Sequence, residues 1–299
     1  MMQSENILED YKINFNIENI NAEIEHITST NQDLQKNAEV LKNIFSCIDL
    51  TTLKETDSAE SVTAFVQKVN EFSDKYPTFP SVGAVCVFPV FAPIIKQYLK
   101  VDNVQRAVVS AGFPASQTFL DLKVLETKKA VYFGANEIDV VLSIGEFLEG
   151  NYEFVYEEIR QLKEACGSAH LKVILETGAI KDPQLIWNAS IIAMDAGADF
   201  IKTSTGKIPT AATLDAAYVM CHAIKAYHAK TGKLIGFKPA GGIAVTAEAI
   251  GFYAVVKEVL GKEWLNNKLF RIGASRLANN LLTDILKLEN GSSEDIKFF

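Results

Sequence analysis

No apolar run in the 299-residue chain approaches the roughly 20 residues of a membrane-spanning helix, so no membrane span is expected. The N-terminus, MMQSENILEDYKINFNIENINAEIEHITS, lacks an apolar export segment and an Arg-rich amphipathic pattern. No export or transit signal is read there, and the protein is expected in the cytoplasm. Cysteine is scarce: Cys47, Cys86, Cys166 and Cys221 form no CxxC pair, and none stands at zinc-ligand spacing with a histidine. They read as reduced core residues. His26, His170, His222 and His228 are scattered, and no Walker loop, GxGxxG or Ser/His/Asp arrangement occurs. Neither a metal nor a cofactor is expected. An excess of basic residues is missing too. The net charge of −8 argues against a nucleic-acid or acidic-membrane partner. An anionic small substrate stays open wherever lysines or arginines cluster locally.

What is present points to a large core, since 48% of the residues are apolar. Residues 1–40 stand apart: rich in Asn, Glu and Ile, without Gly or Pro. Ile20, Ile24 and Ile27 recur at spacings of four and three, which predicts an N-terminal helical extension with a mobile tip. Residues 41–290 carry a different rhythm, and 291–299 form a short polar tail.

That rhythm is short β-branched runs alternating with helical patterns. The strand candidates are residues 44–50, 82–88, 106–112, 137–142, 171–176, 199–204, 234–240 and 269–275. The helical stretch SAESVTAFVQKVNEF opens on a Ser/Glu pattern resembling a capping box. Several helical stretches stop at Gly. Eight strands, each followed by a helix, predict an α/β fold of the (β/α)8 TIM-barrel type. A doubly wound open sheet is the alternative.

Chemistry on such a barrel sits at the C-terminal ends of the strands. Polar residues interrupt the apolar runs: Asp49 in the first, Asp139 in the fourth, Lys172 in the fifth, Lys202 in the sixth and Lys238 in the seventh. Strand alternation puts Phe200, Lys202 and Ser204 on one face, Gly236 and Lys238 on another, and Asp139 with Glu137 and Val141. If Lys202 and Lys238 point inward, they stand on neighbouring strands roughly 5 Å apart. Burial and a flanking cation each lower a lysine pKa, leaving a neutral amine that forms Schiff bases with carbonyl compounds. Asp139 then balances charge and moves protons. A single such lysine reads as well as a rim residue reaching for water. Three together, in strands otherwise so apolar, read as a site.

Glycines gather in the following loops: Gly206 before Lys207, Gly241 and Gly242 after the seventh strand, and Gly273 in the eighth, with Ser275 opening the last helix. Free backbone N–H groups at such turns bind phosphate, and the loops after strands seven and eight are the favoured phosphate site on this fold. Cys86 reads as barrel core or as the floor of the site.

The stretches CIDLTTL, VCVFPVF, GANEIDVVL, LKVILETG, DFIKTSTGK, GFKPAGGI and FRIGASRL resemble deoxyribose-phosphate aldolases, which are class I Schiff-base aldolases. They run in order from about residue 44 to about residue 282. The resemblance implies cleavage of a phosphorylated deoxy sugar to small aldehydes, without metal or cofactor. It makes Lys202 the Schiff-base lysine, Lys238 the neighbouring cation and Asp139 the acid/base. Asp49, Lys172, Cys86 and Thr205 become a supporting network. Gly206, Lys207, Gly241, Gly242, Gly273, Ser275 and Arg276 become the phosphate site. A homodimer is implied as well. The sequence departs from the family pattern in places. Ala244 stands where an Arg often follows the glycine pair, Arg276 stands where Ser often follows GAS, and Asn136 replaces a frequent Asp. One guanidinium lost and one gained suggests a relocated phosphate contact. Some members end in a Tyr that assists proton transfer, whereas this chain ends in Phe298 and Phe299. The N-terminal extension lies outside the resemblance.

Overall fold

The computed structural model describes residues 3–299, with side chains from residue 6 onward. The expected mobile tip lies at the edge of this range, and Met1 and Met2 fall outside it. Eight parallel strands form the sheet: β1 (Ile48–Thr51), β2 (Ala84–Val87), β3 (Gln105–Ser110), β4 (Glu137–Val141), β5 (His170–Ile174), β6 (Phe200–Lys202), β7 (Gly236–Lys238) and β8 (Ile272–Ala274). They run in the order β7-β6-β5-β4-β3-β2-β1-β8. β7 and β8 then meet through two parallel bridges, Phe237–Phe270 and Ala240–Gly273. Pro239 lies between these bridges and has no N–H to give a ladder; its carbonyl accepts from the Gly273 N–H at 2.9 Å. The result is a (β/α)8 barrel with helices outside.

One strand boundary moves. Residues 44–46, expected to open the first strand, end the helix Ala38–Ser46 instead. Leu41, Ile44 and Phe45 are buried at helical spacing, and the Asn37 side chain caps this helix through the N–H groups of Glu39 and Val40. The helix runs across residue 40. The cap of the helix Ala59–Lys75 is reciprocal between Ser58 and Ser61, not Ser and Glu.

The helix Ile17–Thr30 buries Ile20, Ile24 and Ile27, as their spacing predicts. It packs on the helices Leu214–Thr231 and Thr246–Val259. The Asn31 side chain anchors its end, donating to Glu258 at 3.1 Å and accepting from Lys257 at 2.8 Å. The C-terminal tail is docked as well. Phe299 packs on Phe45 and Phe72, Phe298 packs on Phe72 and Tyr76, and Asn279 accepts the N–H groups of both terminal residues at 2.9 Å.

Candidate active site

Inside the barrel, alternation divides the wall by chemistry. β2 and β3 supply the small apolar cluster Ala84, Cys86, Ala107 and Val109. The remaining strands bring charge into one buried assembly. Asp49 comes from β1, Glu137 and Asp139 from β4, Lys172 from β5, Lys202 from β6 and Lys238 from β7; Arg271 stands immediately before β8. Phe200 lies beneath, with the Lys172 ammonium and the Arg271 guanidinium over its ring. Its ring explains Gly236, where any Cβ would fall 2.2 Å from Phe200.

Register brings Lys202 opposite Lys238, and Asp139 opposite Lys172. Both Lys202 and Lys238 donate to Oδ2 of Asp139 at 2.7 Å. Lys238 also donates to Asp49. Lys172 donates to Glu137 at 2.5 Å and to Asp139 at 3.2 Å. Arg271 bridges Asp49 at 2.6 Å and Glu137 at 2.9 Å. With Lys202 neutral, three cations face three anions; a charged Lys202 leaves one cation in excess.

The pKa shifts follow that balance. Burial lowers the Lys202 pKa; Asp139 works against the shift and Lys238 works with it. Burial also opposes the charge on Lys238, but Asp139 and Asp49 outweigh it and hold that lysine protonated. Burial would neutralise Asp139, yet Lys172, Lys202 and Lys238 hold its carboxyl well below the usual range. Burial likewise pushes on Glu137, where Lys172 and Arg271 prevail and lower it to about 2. Adjacent lysines in similar burial thus diverge because one has two carboxylate partners and the other has one.

Lys202 opens onto a cleft of about 270 Å³. Gly206, Lys207, Gly241, Gly242, Gly273, Ser275 and Arg276 all line it, as do Ala244 and Thr205. Gly206, Gly241 and Gly242 have φ of 76°, 85° and 82°, in the left-handed region that favours glycine. Lys207 reaches across the mouth, donating to the Leu53 carbonyl at 2.6 Å and to Glu55 at 3.2 Å. Thr205 makes no hydrogen bond to the lysine–carboxylate assembly; its hydroxyl goes to Glu176 at 2.5 Å. Cys86 is fully buried, and burial pushes its thiol up to about 11. Phe298 and Phe299 do not line the cleft.

Sequence reading missed Arg271 and Glu176. Arg271 lies two residues before Gly273, so alternation alone could have placed it on the inner face. Glu176 read as the end of a strand, and nothing in its neighbours signals a left-handed turn. Among the described residues no group of three His, Cys, Asp or Glu is disposed to hold a metal, and no helix is long and apolar enough to cross a membrane.

Known proteins match the chain in sequence and in fold. Residues 44–261 match the model of the DeoC/LacD family aldolases. The chain is 44% identical over 249 residues to the deoxyribose-phosphate aldolase of Homo sapiens, covering 78% of this chain and 77% of that one. It is 42% identical over 247 residues to that of Bos taurus, covering 78% and 76%. The solved structure of QR15, an aldolase, superposes with a TM-score of 0.68 at 30% identity, covering 82% of this chain and 99% of that one. With the barrel fold and these matches in agreement, the chain belongs to the DeoC/LacD family of aldolases.

Proposed function

We propose that this aldolase reversibly cleaves 2-deoxy-D-ribose 5-phosphate to D-glyceraldehyde 3-phosphate and acetaldehyde through a Schiff base on Lys202. The carrying observation is that Lys202 is buried, with its pKa lowered, beside a lysine that stays charged. A neutral amine attacks the C1 aldehyde of the open-chain sugar. Asp139, hydrogen-bonded to both lysines, moves the protons that dehydration of the carbinolamine requires. The resulting iminium draws electrons from the C2–C3 bond. That bond breaks, the C3 hydroxyl loses its proton to become the aldehyde of glyceraldehyde 3-phosphate, and an enamine remains on Lys202. Protonation at C2 and hydrolysis release acetaldehyde and the free amine. Asp49, Lys172 and Arg271 fix the charges around the pair.

The glycine-lined cleft supplies the phosphate site, with Lys207 and Arg276 as its cations. Arg276 lines the same cleft as Ala244, which supports the relocated guanidinium. The phosphate, remote from the breaking bond, holds the sugar in register. A homodimer belongs to the same reading. It is supported by an apolar groove of about 290 Å³ that Val90, Leu122, Leu125 and Phe133 line, and mass in solution tests it. Four free, buried cysteines support a cytoplasmic location.

Borohydride reduction in the presence of deoxyribose 5-phosphate tests the chemistry. The expected result is a covalent adduct on the native chain that Lys202→Ala abolishes. An adduct that survives this substitution overturns the assignment.

A further inference from the structure

The turn that carries Gly206 and Lys207 is held from behind by a carboxylate on a different loop. Glu176 lies just past β5 and is 2% exposed. Its φ of 56° and ψ of 58° put a long side chain in the left-handed region, a conformation uncommon outside glycine. Both carboxylate oxygens are used on one residue. Oε1 accepts the Thr205 N–H at 3.2 Å and Oε2 accepts the Thr205 hydroxyl at 2.5 Å. The same Thr205 oxygen accepts the Lys207 N–H at 3.0 Å. Gly206, between them, rests on the second glycine turn, with Gly241 Cα 3.3 Å from where a Gly206 Cβ would stand.

Among the described residues Glu176 makes no ion pair, and its two carboxyl oxygens are met by N–H and O–H donors alone. A carboxyl group behind an anion site adds no positive charge to it. What Glu176 contributes to this cleft is therefore geometry. Two contacts fix both the position and the rotation of Thr205, and Thr205 then sets where the N–H groups of the turn point.

We propose that Glu176 is a positioning residue for phosphate recognition, acting through Thr205 on the Gly206–Lys207 turn and not on the Schiff-base chemistry. This rests on the reading of the cleft as the phosphate site of a deoxyribose-phosphate aldolase. Lys202 does not depend on the clamp, because its partner is Asp139 on β4.

The experiment compares native enzyme with Glu176→Gln, Thr205→Val and Thr205→Ser. It measures steady-state cleavage of deoxyribose 5-phosphate, inhibition by inorganic phosphate, and borohydride trapping of acetaldehyde. Losing a buried hydrogen bond predicts a KM about tenfold higher in Glu176→Gln and Thr205→Val, with kcat within about threefold. Phosphate inhibition weakens in parallel, acetaldehyde is still trapped on Lys202, and Thr205→Ser, which keeps the hydroxyl, stays near native. Unchanged KM and phosphate inhibition overturn the proposal, as does a loss confined to kcat. If Glu176→Gln does not fold, Thr205→Val, nearly equal in volume, decides alone. Native enzyme that traps no acetaldehyde, or does not cleave deoxyribose 5-phosphate, overturns the aldolase reading itself and is distinct from either variant result.

Discussion

Lys202 and Lys238 converge on one oxygen: the Nζ of each lies 2.7 Å from Oδ2 of Asp139. Their environments part at the next contact, since Lys238 also holds Asp49 and Lys202 does not. One carboxylate shared by two lysines cannot neutralise both in a buried site. The lysine with the second partner keeps its proton, and the other is left to give its proton up.

The first prediction follows from that asymmetry. Lys238→Leu removes a cation that lowers the Lys202 pKa and leaves Oδ2 of Asp139 to Lys202, with Lys172 still on Oδ1. Both changes stabilise the Lys202 ammonium, so its pKa rises. The acid limb of kcat/KM against pH therefore moves to higher pH. Where that limb lies above pH 7, activity at pH 7 falls about tenfold for every further pH unit the limb travels. Lys238→Arg, which keeps the charge, leaves the limb nearly in place. A limb that stays put in the leucine variant contradicts the electrostatic account.

Arg271 is held at 4% exposure against Asp49 and Glu137. Removing it takes one of two hydrogen-bonded cations from each of two buried carboxylates, leaving Asp49 to Lys238 and Glu137 to Lys172. Arg271→Met is expected to cost about 3–5 kcal/mol in urea unfolding, the usual penalty for breaking a buried ion pair from one side. Arg160 pairs with Glu157 at the surface, both side chains roughly half exposed, and Arg160→Ala is expected to leave the urea midpoint nearly unmoved. Similar midpoints for the two variants contradict this contrast between buried and exposed charge.

Acid should unfold the protein through the same assembly. Glu137, Asp139 and Asp49 all have folded pKa values below their ordinary range. A depressed carboxylate stabilises the fold above its unfolded pKa of about 4, and that stability is lost as pH falls through the folded value. For Glu137 the folded value is about 2. Urea midpoints are expected to hold down to about pH 4 and then fall steeply toward pH 2. Because these pairs are buried, about 1 M salt should leave the acid limb in place. A limb that salt flattens would assign it to surface pairs instead.

The barrel was legible because its strands are short β-branched runs between helical patterns, and periodicity survives without tertiary knowledge. Lys202, Lys238 and Asp139 were legible for a related reason: a charge in an apolar run stands out, and alternation says which way it points. The helical end at Ile44–Ser46 was not, since β-branched and aromatic residues there suit a strand as well as a helix face. Glu176 was hidden because its role depends on a left-handed backbone that no neighbour dictates and on Thr205, 29 residues away. The division between Thr205 and the lysine assembly was hidden likewise, because sequence order does not say which of two facing loops a hydroxyl will choose.

The two glycines after β7 should answer differently to the same substitution. Gly241 has φ of 85°, and an added Cβ would stand 2.7 Å from Ala211 Cβ and 2.9 Å from Gly206 Cα. The second neighbour is backbone of the Thr205–Lys207 turn, which cannot swing aside as a side-chain end can. Gly241→Ala must therefore push the two cleft-lining turns apart. Gly242 has φ of 82°, but nothing lies within 4 Å of its Cβ position, so Gly242→Ala carries backbone strain alone, about 1–2 kcal/mol. The expected outcome is a KM for deoxyribose 5-phosphate about tenfold higher in Gly241→Ala with kcat little changed, and a clearly smaller rise in Gly242→Ala. Borohydride trapping of acetaldehyde should be retained in both, because Lys202 donates to Asp139 and to neither turn. Equal effects from the two alanines would mean that backbone strain, and not the contact between the turns, governs the cleft.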